Sequence, residues 1–571
     1  MTVDGYEMII QKLSLTTRAI LWLLVPLLAS IPAHAVTVDG FVTQIDSTGA
    51  FDSGELRVQL TAETRCSIAT VSSISEWYYS VWSGRLSYSP WFFSSNDRVM
   101  KSTIMPCNVA HMAIGSQVHV IGTFQSKHRV LADHAIIYTE SIDRKLESSA
   151  VIGEQPELQH NADGWKGSLW LDGYPMTVTP QTKLLAAPAN ARLHYSWSKT
   201  TGILETKPTR KHGSSQILFH ESLSRPNACV QYVGTSDVDG KILANQLAFW
   251  PNHIGKKEHK YASWFVASIV PPNYQKRMTG GIYFKKIFKP GNVINIVPDQ
   301  EAQKWVSKIG RSMVPQFQRS MSDSDPDKIR FQFYITGQFK YQKDLVRLTH
   351  AGESKHIADN NIIALPDGII LVPATTLAHL QNSAQLAALM SAAVAAVLQK
   401  QAYLYIFLNV QVAINASNKA TTFMQEQQAL RIGIRQMYLA GYDIREAPYA
   451  WAVAQGKSVE NPIINSKHPD QEIPWYAAYA FNYISHYYQD VDYSKLKRGE
   501  KEYQQFLQEL YKADPSLPRP ASPPAQIQPQ AHINLQAQPT PASGARYIHS
   551  IFIFACIRSG SIFRTQAVGS E

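Results

Sequence analysis

The sequence predicts a multidomain α+β protein: two tandem small β-barrel or β-sandwich modules, then a mainly helical domain with a small β-sheet. Three observations support this. Apolar and polar residues alternate between turn signals over 36–145, the period-two pattern of half-buried strands. The stretch "VHVIGTF…VLADHAII" at 118–137 returns as "VQYVGTS…ILANQLAF" at 230–249, matching Val118 with Val230, Gly122 with Gly234, Thr123 with Thr235 and Ala132 with Ala244. From about residue 293 the apolar period lengthens to that of helices. A chain of 571 residues, 45 % apolar and 17 % charged, can bury several cores and is not disordered or fibrous.

Taken in order, residues 1–35 have the pattern of an export signal. Lys12 and Arg18 precede the apolar "AILWLLVPLLASIPA", and Ala33-His34-Ala35 is a small-x-small cleavage pattern. Cleavage is expected after Ala35, and the mature protein is expected to be periplasmic or secreted. The run is short and holds two prolines, which argues against a membrane anchor. No later stretch reaches the roughly 18 apolar residues of a spanning helix. "YLYIFLNVQVAI" at 403–414 comes closest and is expected to be a buried or surface-dipping helix. An oxidising compartment suits the cysteines. Cys66 and Cys107 lie in one module and are disulfide candidates, a bond that typically adds roughly 2–4 kcal/mol. Cys229 and Cys556 have no evident partner. No C-x-x-C or Cys/His zinc spacing occurs.

The first β module covers 36–145 and the second 150–252. Eight aromatics fall between Trp77 and Phe93 in an insertion of the first. They either present a sticky surface or cover the open end of the module. In the connector at 253–292, Lys256, Lys257, Lys260, Lys276, Arg277, Lys285, Lys286 and Lys289 face only Glu258. Peripheral membrane contact through 256–289 is its functional reading; a solvated connector is the plainer one. The net charge of +10 and isoelectric point near 9.1 favour anionic partners. No nucleic-acid motif accompanies them, so nucleic acid is not expected.

Residues 293–512 have an α/β texture. "PDQEAQKWVSKIGRSMV" sets Ala302, Trp305, Val306, Ile309 and Met313 on one helical stripe. "IRFQFYIT" alternates as a strand, and "IIALPDGIILVP" is a hairpin turning at Asp367-Gly368. "QNSAQL" offers a cap to the helix "SAQLAALMSAAVAAVL", and "QEQQALRIGIRQMYLAGYD" is a further helix ending at Gly441. Eight prolines between Pro515 and Pro541 make 513–546 a flexible, extended linker. The tail, 547–571, is apolar in part but too short to span a bilayer.

The order of elements over 293–512 resembles the zinc metallopeptidase family M-48, the HtpX/BepA-like gluzincins. "ALPDGIILVP" is similar to the family's ALP-G hairpin, and "NSAQLAALMSAAVAAVL" to its N-x-x-E-L-A-x-V-L-A-H-E-I-A-H-V helix. "EQQALRIGIRQMYLAGYD" resembles E-x-x-A-D-x-x-G-x-x-x-M-x-x-A-G-Y-D, and "SKHP" the later S-x-H-P. The resemblance implies a zincin-like domain whose edge at Ala364, Leu365, Pro366, Asp367 and Gly368 holds extended peptide by strand addition. It also implies a departure. Where the family has H-E-x-x-H, this chain has Ala392-Ala393-Val394-Ala395-Ala396. Two imidazoles at i and i+4 share a helix face and ligate one Zn²⁺, and the glutamate between is the general base. Alanine supplies neither.

Glu426 matches the family's third ligand, while Leu430 replaces the aspartate of E-x-x-x-D; His468 in "SKHP" matches a histidine near the metal in some relatives. One carboxylate and one imidazole are too few for a catalytic zinc. His350, His356, His379 and His486 form no H-x-x-x-H or H-x-H pair, and Ser391 has no base nearby in sequence. No G-x-S-x-G or P-loop appears; "MTGGIYF" around Gly280 is a turn signal. The resulting expectation is an exported, catalytically inactive homologue that binds extended peptide or an envelope protein, with no cofactor. The alternative is an active metalloendopeptidase whose zinc is held by Glu426, His468 and a further histidine.

Overall fold

The computed structural model describes residues 35–42, 44–46, 50–53, 56–71, 99–106, 116–126, 128–140, 145–186, 193–197, 204–208, 219–220, 223–236, 241–254, 256–270, 281–284, 293–337, 362–401, 417–454, parts of 477–488, 490–517 and 519. Residues 1–34 of the expected export signal, the aromatic insertion at 77–93, the run at 403–414, the tail, Cys107, Cys556, His350, His356, His468 and His486 lie outside them. The fold is mixed α+β, with several sheets followed by helices.

The first module is Ala35–Phe41 (β1), Gln44–Ile45 (β2), Ala50–Ser53 (β3), Leu56–Gln59 (β4), Arg65–Val71 (β5), Val99–Pro106 (β6), Gln117–Ser126 (β7) and Arg129–Glu140 (β8). These strands run in the order β1-β7-β8-β4-β3-β2, with β5 parallel to β8 and β6 antiparallel to β5. The second is Lys145–Val151 (β9), Glu157–Asn161 (β10), Gly164–Leu171 (β11), Tyr174–Val178 (β12), Lys183–Ala186 (β13), then, past the separate pair Leu193–Trp197 (β14) and Leu204–Pro208 (β15), Ala228–Ser236 (β16) and Ile242–Pro251 (β17). Its order is β10-β11-β12-β17-β16-β9, with β13 parallel to β17. Apart from β6, which has no counterpart beside β13, the two sheets share one topology, down to the parallel pairings β4–β8 and β12–β17.

The sequence repeat falls on β7–β8 and β16–β17, and its glycines have a structural reason. Both ladders shift register at the glycine, between Ile121 and Gly122 and between Val233 and Gly234. A Cβ on Gly122 would collide with the Leu131 carbonyl, and one on Gly234 would meet Ile242 at 2.7 Å. Only glycine lets the strands approach so closely at the bulge. A further shared device is a T-x-x-T turn. Thr64 Oγ1 donates to the Ala132 carbonyl at 2.8 Å, and Thr182 Oγ1 to the Ala244 carbonyl at 2.7 Å. Each hydroxyl also accepts the N–H of the threonine three residues earlier, Thr61 or Thr179.

Of the two expected architectures, barrel or sandwich, the closed barrel is corrected. Each hydrogen-bonded path ends on two unjoined edges, β1 and β2 in one sheet and β9 and β10 in the other, so neither sheet is a closed barrel among the described residues. With two residues, β2 offers too short a ladder to close one. The first sheet buries its own core, including Val38, Phe51, Val58, Val120 and Ile137. The second shares a core with the helical region.

The basic stretch contains structure of its own: Lys256–Ala262 (α1) and an antiparallel sheet of Ala267–Val270 (β18), Gly281–Phe284 (β19) and Ile294–Asn295 (β20). Phe265 and Ile282 are buried there. Next comes Gln300–Met313 (α2), capped by Asp299, whose carboxylate accepts the Ala302 N–H at 2.8 Å. Ala302, Val306, Ile309 and Met313 are buried as the stripe predicts, and Trp305 stacks on Phe506 with ring centroids 4.2 Å apart. After Gln316–Ser320 (α3), the strands Gln332–Thr336 (β21), Ile363–Ala364 (β22) and Ile369–Pro373 (β23) form a sheet ordered β21-β23-β22. The remaining helices are Ala374–His379 (α4), Ser383–Leu398 (α5), Ser417–Leu439 (α6), Ala447–Ala454 (α7) and Glu500–Ala513 (α8). Among the described residues no helix is long and apolar enough to cross a membrane.

Candidate functional site

The alanine helix α5 begins where the sequence places its cap. Asn382 Oδ1 accepts the Gln385 N–H at 2.9 Å. The cap is part of a buried polar network: Asn382 Nδ2 and Gln385 Nε2 each donate to Glu446 Oε2 at 2.9 Å, and Arg498 pairs with Glu446 Oε1 at 2.6 Å. The Ser383 and Ala384 N–H groups find the carbonyls of Gly499 and Arg498. The open N–H groups of the first turn are thus satisfied, and the helix is fixed in place. Its far end is tied to the second sheet, since Gln399 Oε1 accepts the Val151 N–H at 2.8 Å.

Within the alanine run of α5, Ala392 and Ala396 are partly exposed, whereas Ala393, Val394 and Ala395 are buried. Helix α6 lies against this stretch. Ala395 and Ala396 pack with Ala429 and Ile432. At Gly433 an added Cβ would stand 2.9 Å from the Ala392 nitrogen, so the helices touch backbone to backbone. Glu426 precedes Gly433 by seven residues, two helical turns, which sets it on the same face of α6. Leu430 is in the core. Helix α6 ends at Gly441 (φ 75°) with the Tyr442 N–H bonded to the Met437 carbonyl and the Gly441 N–H to the Tyr438 carbonyl, a Schellman motif.

The hairpin at Ala364–Gly368 turns as its residues predict. Gly368 (φ 94°) donates to the Leu365 carbonyl at 3.0 Å, and the Leu365 N–H to the Ile369 carbonyl at 2.8 Å. This is a type I turn with Pro366 leading and a glycine bulge closing. β22 is the edge of its sheet among the described residues, and Ile363, Ala364 and Leu365 are buried. Burial pushes the Asp367 carboxyl up to about 7, against the lowering effect of the backbone N–H of Ile369.

Other residues singled out in the sequence have structural partners. Ser391 is buried and donates to the Ala388 carbonyl at 2.9 Å. His379 Nδ1 lies 3.2 Å from the Ala454 carbonyl. Cys66 is disulfide-bonded, and β6 ends at Pro106 opposite Arg65, one residue before Cys107; Cys229 is buried. Among the described residues, no three His, Cys, Asp or Glu side chains gather as a metal site. The side chains of Ala392, Ala393 and Ala396 carry no lone pair and no proton acceptor.

The structure adds an anchor that local sequence does not reveal. The tip between β11 and β12, Asp172 and Gly173, is seated against α6. Arg431 Nη2 pairs with Asp172 Oδ1 at 2.6 Å, and Arg431 Nε donates to the Asp172 carbonyl at 2.9 Å. Tyr232 OH donates to Asp172 Oδ2 at 2.6 Å, and Tyr483 OH donates to the Gly173 carbonyl. Beside it Arg435 holds Glu154 in a bidentate pair at 2.8 and 2.7 Å and lies over the Trp170 ring.

Compared with known proteins, the chain matches no protein-family model and no curated protein.

Proposed function

We propose that this chain is an exported, catalytically inactive homologue of the M-48 zinc metalloendopeptidases that binds extended peptide or protein in the cell envelope. The observation behind the reading is the composition of α5. Its residues at the two i,i+4 ligand positions and at the general-base position are Ala392, Ala396 and Ala393, and they do not fit a zinc ion. Glu426 alone of the implied ligands falls on the facing helix among the described residues. The family resemblance of the hairpin, α5 and the glycine-ended α6, in that order, supports the fold half of the proposal. The edge at Ala364–Gly368 supports the binding half through strand addition.

A casein-type assay on the mature protein tests it: no cleavage sensitive to a chelator is expected. Cleavage abolished both by a chelator and by Glu426→Ala would overturn the reading, as would stoichiometric zinc that is lost in that variant. Capture of an extended peptide, weakened by substitutions in 364–368, is the expected positive result.

A further inference from the structure

The duplication provides an internal comparison that singles out one surface. On the first sheet, His119 of β7 stands opposite Ile136 of β8, and His134 of β8 opposite Ile121, so the two histidines occupy a cross-strand diagonal. That separation is within reach of long side chains. Ser67 of β5 lies beside them, its Oγ 3.0 Å from His134 Nε2. Arg65, opposite His134 in the β5–β8 ladder, is exposed. The backbone register also sets Asp39 of β1 opposite His119.

The equivalent places in the second sheet hold Gln231, Gln246, Leu185 and Lys183. There Leu185 packs with Ala248 and Trp250. The two copies keep the bulge glycines and the T-x-x-T turns but differ on this face. A sheet of this topology therefore forms without histidines at these places.

We propose that His119 and His134 form a two-imidazole site for a borderline divalent transition metal of the Cu²⁺, Ni²⁺ and Zn²⁺ class, with Ser67 as a positioning residue. Imidazole is a favoured ligand of these ions. The Ser67 contact engages one ring nitrogen of His134 and leaves the other to ligate, as outer partners of metal-bound histidines do. This face belongs to the first module and does not depend on the function proposed for the α5 region.

Titration of the full chain with Cu²⁺ alone, in a non-chelating buffer, tests the site by calorimetry and electron paramagnetic resonance. The variants are His119→Gln, His134→Gln, the double substitution and Ser67→Ala. Glutamine is the residue of the second module at both places, so the metal-free variants are expected to unfold at the wild-type temperature. Each single histidine variant is expected to lose one nitrogen ligand and most of the affinity, and the double variant the whole site. Ser67→Ala is expected to weaken binding on the order of tenfold. Identical isotherms for the wild type and the double variant would overturn the proposal. So would histidine-dependent binding of inorganic phosphate without Cu²⁺ binding, which would assign the face to anions.

Discussion

Asp367 shows how one residue carries a local signal and a hidden one. Its place in Leu365-Pro366-Asp367-Gly368 marks a hairpin turn, and the turn is there. Its raised pKa has no local cause: the desolvation comes from tertiary packing, with Ile329 and Arg330 crowding the adjacent Gly368. No pattern in a short window can report a neighbour so far off in sequence. The shift gives a pH dependence of definite sign. Between the ordinary aspartate value of 3.8 and about 7 the folded chain retains a proton that the unfolded chain releases. Stability therefore falls as pH rises through that window and levels off above it. Asn at this position keeps an acceptor for the Ile369 N–H and has no charge to desolvate. Asp367→Asn is expected to be more stable than wild type by about 2 kcal/mol at pH 8 and nearly equal at pH 4. That figure is discounted from roughly 1.4 kcal/mol per pKa unit because the side chain is partly exposed. Parallel pH profiles of thermal unfolding for the two proteins would contradict it.

At the scale of elements, ends and periods were legible because their causes are local. Asp299 and Asn382 cap α2 and α5, and Gly441 closes α6, each within a few residues of its partner. The T-x-x-T turns and the helix in the basic stretch were harder to see. A turn threonine whose acceptor is in another strand, such as Thr64 and Ala132, has no short-range signature. The Asn382 cap also reaches Glu446, and this makes a distinctive prediction. Asn and Asp are near-equal caps in general, but here Asp would set a second carboxylate against Glu446 Oε2, where Asn382 Nδ2 now donates. Asn382→Ala is expected to cost about 1–2 kcal/mol, and Asn382→Asp to cost at least as much. Denaturant unfolding measures both, and an Asp variant as stable as wild type would show that the network adds nothing to the cap.

For the whole molecule, the duplication was readable and the coupling of its second copy to the helices was not. Repeated residues such as Gly122 and Gly234 announce themselves by matching. The arginines of "RIGIRQ", by contrast, have the spacing of a solvated helix face, yet Arg431 is buried against Asp172, 259 residues away, and Arg435 is held by Glu154. Apolar burial follows the same division. Leu158, Leu171, Val230 and Leu247 of the second sheet belong to one core with Val306, Leu386, Met390, Met437 and Leu507, while the first sheet has a core of its own. Cutting between 252 and 293 would therefore expose apolar surface on both sides and strand Arg431 without its carboxylate. Breaking such a buried pair alone costs roughly 3–5 kcal/mol, a large share of a domain's usual stability of about 5–15 kcal/mol. A fragment of residues 145–519 is expected to unfold in one cooperative transition, and a fragment of 293–519 to bind a hydrophobic dye and aggregate. A soluble, cooperatively folding 293–519 would show that the second sheet merely rests on the helices, and the Asp172–Arg431 anchor would then be an accessory contact rather than part of the fold.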